Sequence, residues 1–179
     1  MEKFCYYGGK KALLIGSGLE FDFKKRLLKE ENQNLKFNSN LNYYNLTKIL
    51  FHLNAIKICK NYNIDLTWAR IFWLYGQNEN QKRLIPNLLK SFKNKKKIII
   101  NDTNKIINIL NVYDVAKIIA LISRKKNLPI VNIANNKNHT LKKIVREIMH
   151  ILNIKKYKKI IFKNKNKISL KFNISIKSI

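Results

Sequence analysis

Short apolar runs closed by turn residues alternate along the chain with runs whose apolar positions recur every three to four residues. That alternation limits the possible folds more than any other feature. "KALLIGS" (11–17) ends at Gly16-Ser17-Gly18 and reads as a buried strand with a loop after it. Residues 22–42 are polar and irregular. From Tyr43 to Tyr62 the apolar residues Leu46, Ile49, Leu50, Leu53 and Ile56 recur at helical spacing. "IDLTWARIFWLYG" (64–76) reads as one strand, and "RLIPNLLKSFK" (83–93) as a helix with Pro86 in its first turn, where proline is tolerated. "KKIIIND" (96–102) predicts a strand, "NVYDVAKIIALIS" (111–123) a helix and "PIVNIAN" (129–135) a further strand. Thr140 is the predicted N-cap of "LKKIVREIMHIL". Strands taking turns with helices predict an α/β fold with a largely parallel sheet. The tail differs: "KISLKFNISIK" (167–177) alternates strictly and predicts a half-buried or edge strand. Neither an internal repeat nor a clear linker divides the chain, so residues 1–179 read as a single domain.

Composition decides how surprising any motif is. With 179 residues, 46% of them hydrophobic, the chain can build one domain with a real core. A formal charge of +27 and a pI near 10.2 raise nucleic acid or an acidic membrane surface as partners. Yet only five of the 37 basic residues are Arg (Arg26, Arg70, Arg83, Arg124, Arg146). Arg is the fork that matches phosphates and base edges, whereas Lys is a solvated point charge. The chain is also swollen in Asn and Ile, which share AT-rich codons with Lys, so codon bias explains the charge at least as well as an anionic ligand does. Specific nucleic-acid binding is not expected. Cys5 and Cys59 stand far apart in no metal-binding spacing, and His52, His139 and His150 form no ligand pattern, so neither a disulfide nor a metal site is expected. No apolar run approaches the ~20 residues that span a bilayer, and "MEKFCYYGGKK" lacks the apolar stretch of a signal peptide. The expectation is a cytoplasmic protein without a membrane partner.

Tyr44 and Lys48 stand four residues apart at the head of the 43–62 helix, hence on one face of it. A cation there favours the phenolate and draws a Tyr pKa down from ~10 toward neutrality, which suits a proton-transfer group. The spacing alone has little weight, because Tyr6/Lys10, Tyr7/Lys11 and Tyr113/Lys117 repeat it. The context has more. "GSGLEF" (16–21), "YYNLTK" (43–48), "ARIFWLYGQNENQKRLIP" (69–86), "INILNVYDVA" (107–116) and "VNIANNKNHTLKKIV" (131–145) follow in one order.

This series resembles the extended short-chain dehydrogenase/reductases that modify nucleotide sugars, the NAD-dependent epimerase/dehydratase family. The resemblance covers about residues 12–150. It implies a partial Rossmann-like parallel sheet with helices on both faces and a small C-terminal substrate lobe. Residues 11–76 would then hold the catalytic strand and helix, and 77–179 mainly the lobe. It also implies that Ser17 is the catalytic Ser, Tyr44 the general acid/base and Lys48 its helper, with Tyr44 and Lys48 against the nicotinamide ribose of NAD or NADP. Ser17, Trp73 and Arg83 would meet a nucleotide-sugar substrate.

Departures from the family pattern narrow the expectation. Trp73 replaces an Asn, Gln77 a Pro, Ile107 an Arg that grips the nucleotide diphosphate, and Asn108 an Asp. Gly18 and Leu19 stand where the sugar 4,6-dehydratases carry Asp and Glu, which favours epimerisation or 4-keto reduction over elimination. The sequence contains no strand–G-x-x-G-x-x-G–helix unit, so the chain is expected to correspond to the C-terminal part of such an enzyme. No measurable binding of NAD(H) by this chain alone is expected; the enzyme reading is of a chain either inactive alone or completed by another polypeptide, with a homodimer or a complementing N-terminal polypeptide as the expected partner. The alternative is a non-catalytic basic module, or a decayed remnant, that binds nucleic acid or another anionic partner.

Overall fold

The structure, a computed structural model, describes residues 1–21, 27–28, 43–163 and 173–174. In chain order the strands are β1 (Lys11–Ser17), β2 (Leu27–Leu28), β3 (Asp65–Ile71), β4 (Trp73–Tyr75), β5 (Ile98–Asn101) and β6 (Ile106–Ile107). β7 (Ile109–Asn111), β8 (Ile130–Ile133), β9 (His139–Thr140), β10 (Ile160–Lys163) and β11 (Asn173–Ile174) complete them. The helices are α1 (Glu2–Tyr6), α2 (Tyr43–Asn61), α3 (Leu84–Lys93), α4 (Val112–Ser123) and α5 (Leu141–Ile151), with a 3-10 turn at Gly18–Glu20. The α/β alternation stands. The expected irregular stretch 22–42 and alternating stretch 167–177 lie outside the described residues, apart from a parallel pairing of β2 with β11.

β1, β3 and β8 form a parallel sheet in the order β1-β3-β8, with Lys11 opposite Asp65 and Ser17 opposite Ile71. Adjacent parallel strands need a crossover, and α2 supplies the one between β1 and β3. Successive residues of a strand face opposite sides, so β3 sorts the two faces. Trp68 faces α2, where it stacks on His52 with ring centroids 4.2 Å apart. Ala69 and Ile71 pack with Val115 and Ile122 of α4 and with Val131 and Ile133 of β8. Helices therefore cover both faces.

A second core gathers Leu88 and Phe92 of α3, Ile98 and Ile100 of β5, Ile107, and Leu141, Ile144 and Val145 of α5. β5 pairs in parallel with β10, and β6 pairs antiparallel with β9.

Two expectations needed correction. The 64–76 run is two strands, because the chain turns at buried Phe72, which stacks on Phe21, and β4 leaves the sheet to pair with β7. The buried stripe of α2 is Ile49, His52, Ala55 and Cys59, while Leu50 and Leu53 are exposed. α2 is apolar on two sides, so periodicity alone did not choose between them. The inner side holds the small residues Ala55 and Cys59, which let the helix sit close to the sheet, and the His52 that stacks on Trp68.

Candidate active site

The strand ends create the site. Residues 15–19 leave β1 and residues 71–77 leave β3 on the same edge of the sheet, the carboxyl end, where open α/β sheets bind ligands. Between them lies a pocket of about 710 Å³, within the size range of small-molecule sites. Its lining includes Ser17, Tyr44, Lys48, Trp73, Gln77 and Arg83. The five expected site residues, Ser17, Tyr44, Lys48, Trp73 and Arg83, thus all line this one cavity.

Ser17 ends β1 and caps the 3-10 turn. Its Oγ accepts from the Leu19 N–H at 3.2 Å, so one lone pair is committed to the backbone and the hydroxyl proton is left for another acceptor. Tyr44 lies in the first turn of α2 and is 52% exposed, which leaves its phenol accessible from the cavity. One turn later Lys48 Nζ donates to the Ile15 carbonyl at 3.0 Å, tying the helix to the strand two residues before Ser17. An ammonium has three donors, so Lys48 keeps others for a ligand.

The glycines that flank Ser17 are packing requirements. A Cβ on Gly16 would overlap the Trp68 indole and lie 2.6 Å from Glu20 Oε1; on Gly18 it would lie 2.5 Å from the Phe72 ring. Side chains thus occupy the space that a phosphate cradle would leave open to a ligand.

Across the cavity, Trp73 is half-buried in β4, between Phe72 and the second core. Arg83 caps α3 and is 57% exposed, with its Nε 3.2 Å from Glu79 Oε1. Its guanidinium is partly engaged and still faces solvent. Tyr113 donates its phenolic hydrogen to Gln77 Oε1 at 2.8 Å, orienting the Gln77 amide. Among the described residues Glu79 is the one acidic residue in the lining, and it is paired with Arg83. Ile107 and Asn108 do not line the cavity. Ile107 is buried in the second core, and Asn108 is buried as a clamp that donates to the Asn135 carbonyl and accepts from the Asn135 N–H.

Beneath Ser17 lies a buried polar cluster. Glu20 accepts from the Ser17 N–H at 2.6 Å, from Trp68 Nε1 at 3.1 Å and from Arg70 Nε at 2.9 Å. His52 packs beside it with Nδ1 3.9 Å from the carboxylate, too far for a hydrogen bond. Burial, helped by the Arg70 charge, lowers the His52 pKa from 6.5 to about 4, so the ring is neutral at pH 7. Glu20 escaped the sequence reading although Ser17-x-x-Glu20 is a capping-box spacing. No apolar-periodic run follows it, so nothing announced a helix start. The bond from Tyr113 to Gln77 joins residues 36 apart, which no local motif announces.

A family model described as the NAD dependent epimerase/dehydratase family matches residues 2–134. No match is found among the curated proteins. Among solved structures, the chain is similar to a dTDP-glucose 4,6-dehydratase from Bacillus anthracis in complex with NAD. The TM-score is 0.79 at 20% identity, over 98% of this chain and 56% of the other. A UDP-glucose 4-epimerase from Thermotoga maritima with UDP-glucose gives 0.74 at 17% identity, over 98% and 56%. A UDP-glucuronic acid 4-epimerase from Bacillus cereus with UDP-glucuronic acid and NAD gives 0.77 at 18%, over 97% and 55%. The chain thus spans little more than half the length of these structures, and at such identities the likeness is one of fold.

Proposed function

The chain belongs to the NAD-dependent epimerase/dehydratase family, and from that premise we propose that its cavity serves nucleotide-sugar epimerisation or 4-keto reduction. The observation that carries this reading is the gathering of Ser17, Tyr44 and Lys48 on one cavity at the carboxyl ends of β1 and β3.

Ser17, its oxygen already bonded to the Leu19 N–H, donates its hydroxyl hydrogen to the sugar oxygen that becomes, or already is, a carbonyl. Tyr44 moves the proton on that oxygen as general acid/base. Lys48 stands one turn below and offers its remaining hydrogens to ribose hydroxyls. A bound nicotinamide supplies hydride exchange with the sugar carbon. The free donors of Lys48 fit the ribose end of NAD or NADP, whereas the space at Gly16 and Gly18 is too filled to fit a pyrophosphate. Trp73 offers an apolar wall and Arg83 a cation to the nucleotide-sugar substrate. Among the described residues the one carboxylate in the lining, Glu79, is paired to Arg83, and no other carboxylate stands there to draw off the proton that elimination requires, which supports epimerisation or reduction.

The open edge of β1, paired only with β3 among the described residues, supports a partner in the reading: a second copy, or a polypeptide bearing the dinucleotide-binding half. The test follows NADH absorbance and the sugar product with UDP- or dTDP-hexoses, for the chain alone and mixed with the N-terminal half of a related enzyme. Turnover is expected in the mixture, and Tyr44→Phe should lower it by at least ~100-fold, the scale of general acid/base catalysis. Turnover that survives Tyr44→Phe would remove Tyr44 from the chemistry.

A second reading rests on a different observation. Lys95, Lys96, Lys97, Lys158 and Lys159 line one groove at the start of the β5–β10 pair. It supports a basic module for an anionic partner, tested by the salt titration described below.

A further inference from the structure

We infer that Glu20 is a positioning residue for Ser17, and the inference rests on the reading of Ser17 as the group that meets the substrate. Glu20 is 6% exposed and belongs to no lining of the cavity. It nevertheless holds the residue that does line it. Its Oε1 accepts from the Ser17 N–H at 2.6 Å, while Arg70 Nε and Trp68 Nε1, both from the rigid strand β3, fix the carboxylate from behind. A charge-assisted bond from a backbone amide is short and strong, and this one is shielded from water.

Three consecutive residues of β1 are held from below. The Ile15 carbonyl accepts from Lys48, Gly16 lies against Trp68 and the Glu20 carboxylate with no room for a side chain, and the Ser17 amide is fixed by Glu20. With its Oγ also accepting from Leu19, Ser17 keeps only its hydroxyl hydrogen and its remaining lone pair for the cavity.

The sheet's opposite face is closed mainly by apolar residues, so buried ions are not the general packing solution of this sheet. Burying a carboxylate and a guanidinium is costly unless both are well bonded, and an apolar set of the same volume often packs as well. What the ions add is a fixed Ser17. Neutral His52 completes the arrangement: Arg70 and Glu20 balance in charge, and a proton on buried His52 would add a second cation beside Arg70.

Amide hydrogen exchange by NMR, with and without UDP-glucose as probe, tests the inference on Glu20→Gln and Glu20→Asp. Gln keeps the shape and loses the charge; Asp keeps the charge and shortens the reach. Both should speed Ser17 amide exchange by about 10- to 100-fold, the worth of a hydrogen bond to a charged group. The β8 amides of Ile130–Ile133 should stay as protected as in the unmodified protein. With UDP-glucose, the response at Ser17 should weaken while that of the Trp73 indole persists. Ser17 exchange unchanged in both variants, or equal loss of protection at Ser17 and in β8, would overturn the inference; the latter would make Glu20 a general stabiliser. Failure of the unmodified protein to respond to UDP-glucose would count against the functional reading, and the exchange comparison would still decide the role of Glu20.

Discussion

Ser17 is anchored at the site through its amide to Glu20 and through its oxygen to Leu19. His52, below it, carries a consequence for stability. Its two ring nitrogens have no hydrogen-bond partner among the described residues, and burial holds its pKa near 4 instead of 6.5. Between those values the unfolded chain binds a proton that the folded protein does not, so stability rises with pH across the window and falls on acidification. The shift corresponds to about 3 kcal/mol at full extent. Urea midpoints should therefore drop between pH 7 and pH 4.5, and His52→Phe, which keeps a ring on Trp68, should flatten that slope. An unchanged slope would place the acid sensitivity elsewhere. At this scale local motifs single out Ser17, Tyr44 and Lys48, and all three line the cavity. The sequence was not legible for Glu20, whose partners Trp68 and Arg70 stand 48 and 50 residues away.

The elements were legible wherever a local rule governs them. Thr140 caps α5 by accepting from the Lys143 N–H, and Asn111 caps α4 by accepting from the Tyr113 N–H. With five Gly in the whole chain, positive φ among the described residues falls to Gly8, to Lys95 and mostly to Asn63, Asn78, Asn127, Asn153 and Asp102, the last five being residue types that tolerate it at low cost. Part of the Asn richness therefore has a conformational use. Two features were not legible: the break at Phe72, which depends on Phe21, and the inward face of α2, which depends on the sheet. The α2 correction is testable. Ile49→Ala should cost about 2–5 kcal/mol, as for a fully buried aliphatic residue. Leu53→Ala should stay within about 0.5 kcal/mol, as for an exposed site. Equal costs in chemical denaturation would contradict the inward placement of Ile49 over Leu53.

For the whole molecule, the charge and the cavity make separate claims. No helix among the described residues is long and apolar enough to cross a membrane. The +27 charge includes the five-lysine groove at β5 and β10, where Lys97 and Lys159 directly precede the paired residues Ile98 and Ile160. If the lysines are mainly a solvated coat, anisotropy with random duplex and single-stranded DNA should show binding at low salt that nearly vanishes at physiological ionic strength, as counterion release requires. Affinity held near ~10⁻⁸ M at physiological salt, the range of specific complexes, would instead favour the anionic-partner reading. The cavity is tested most directly by an NMR titration of the chain with UDP-glucose and dTDP-glucose, reading Ser17, the Trp73 indole and the Gln77 side-chain amide. The expected result is saturable shifts at these positions, with the Lys95–Lys97 and Lys158–Lys159 groove silent. Absence of any saturable shift, or shifts confined to the lysine groove, would contradict a nucleotide-sugar site at the ends of β1 and β3.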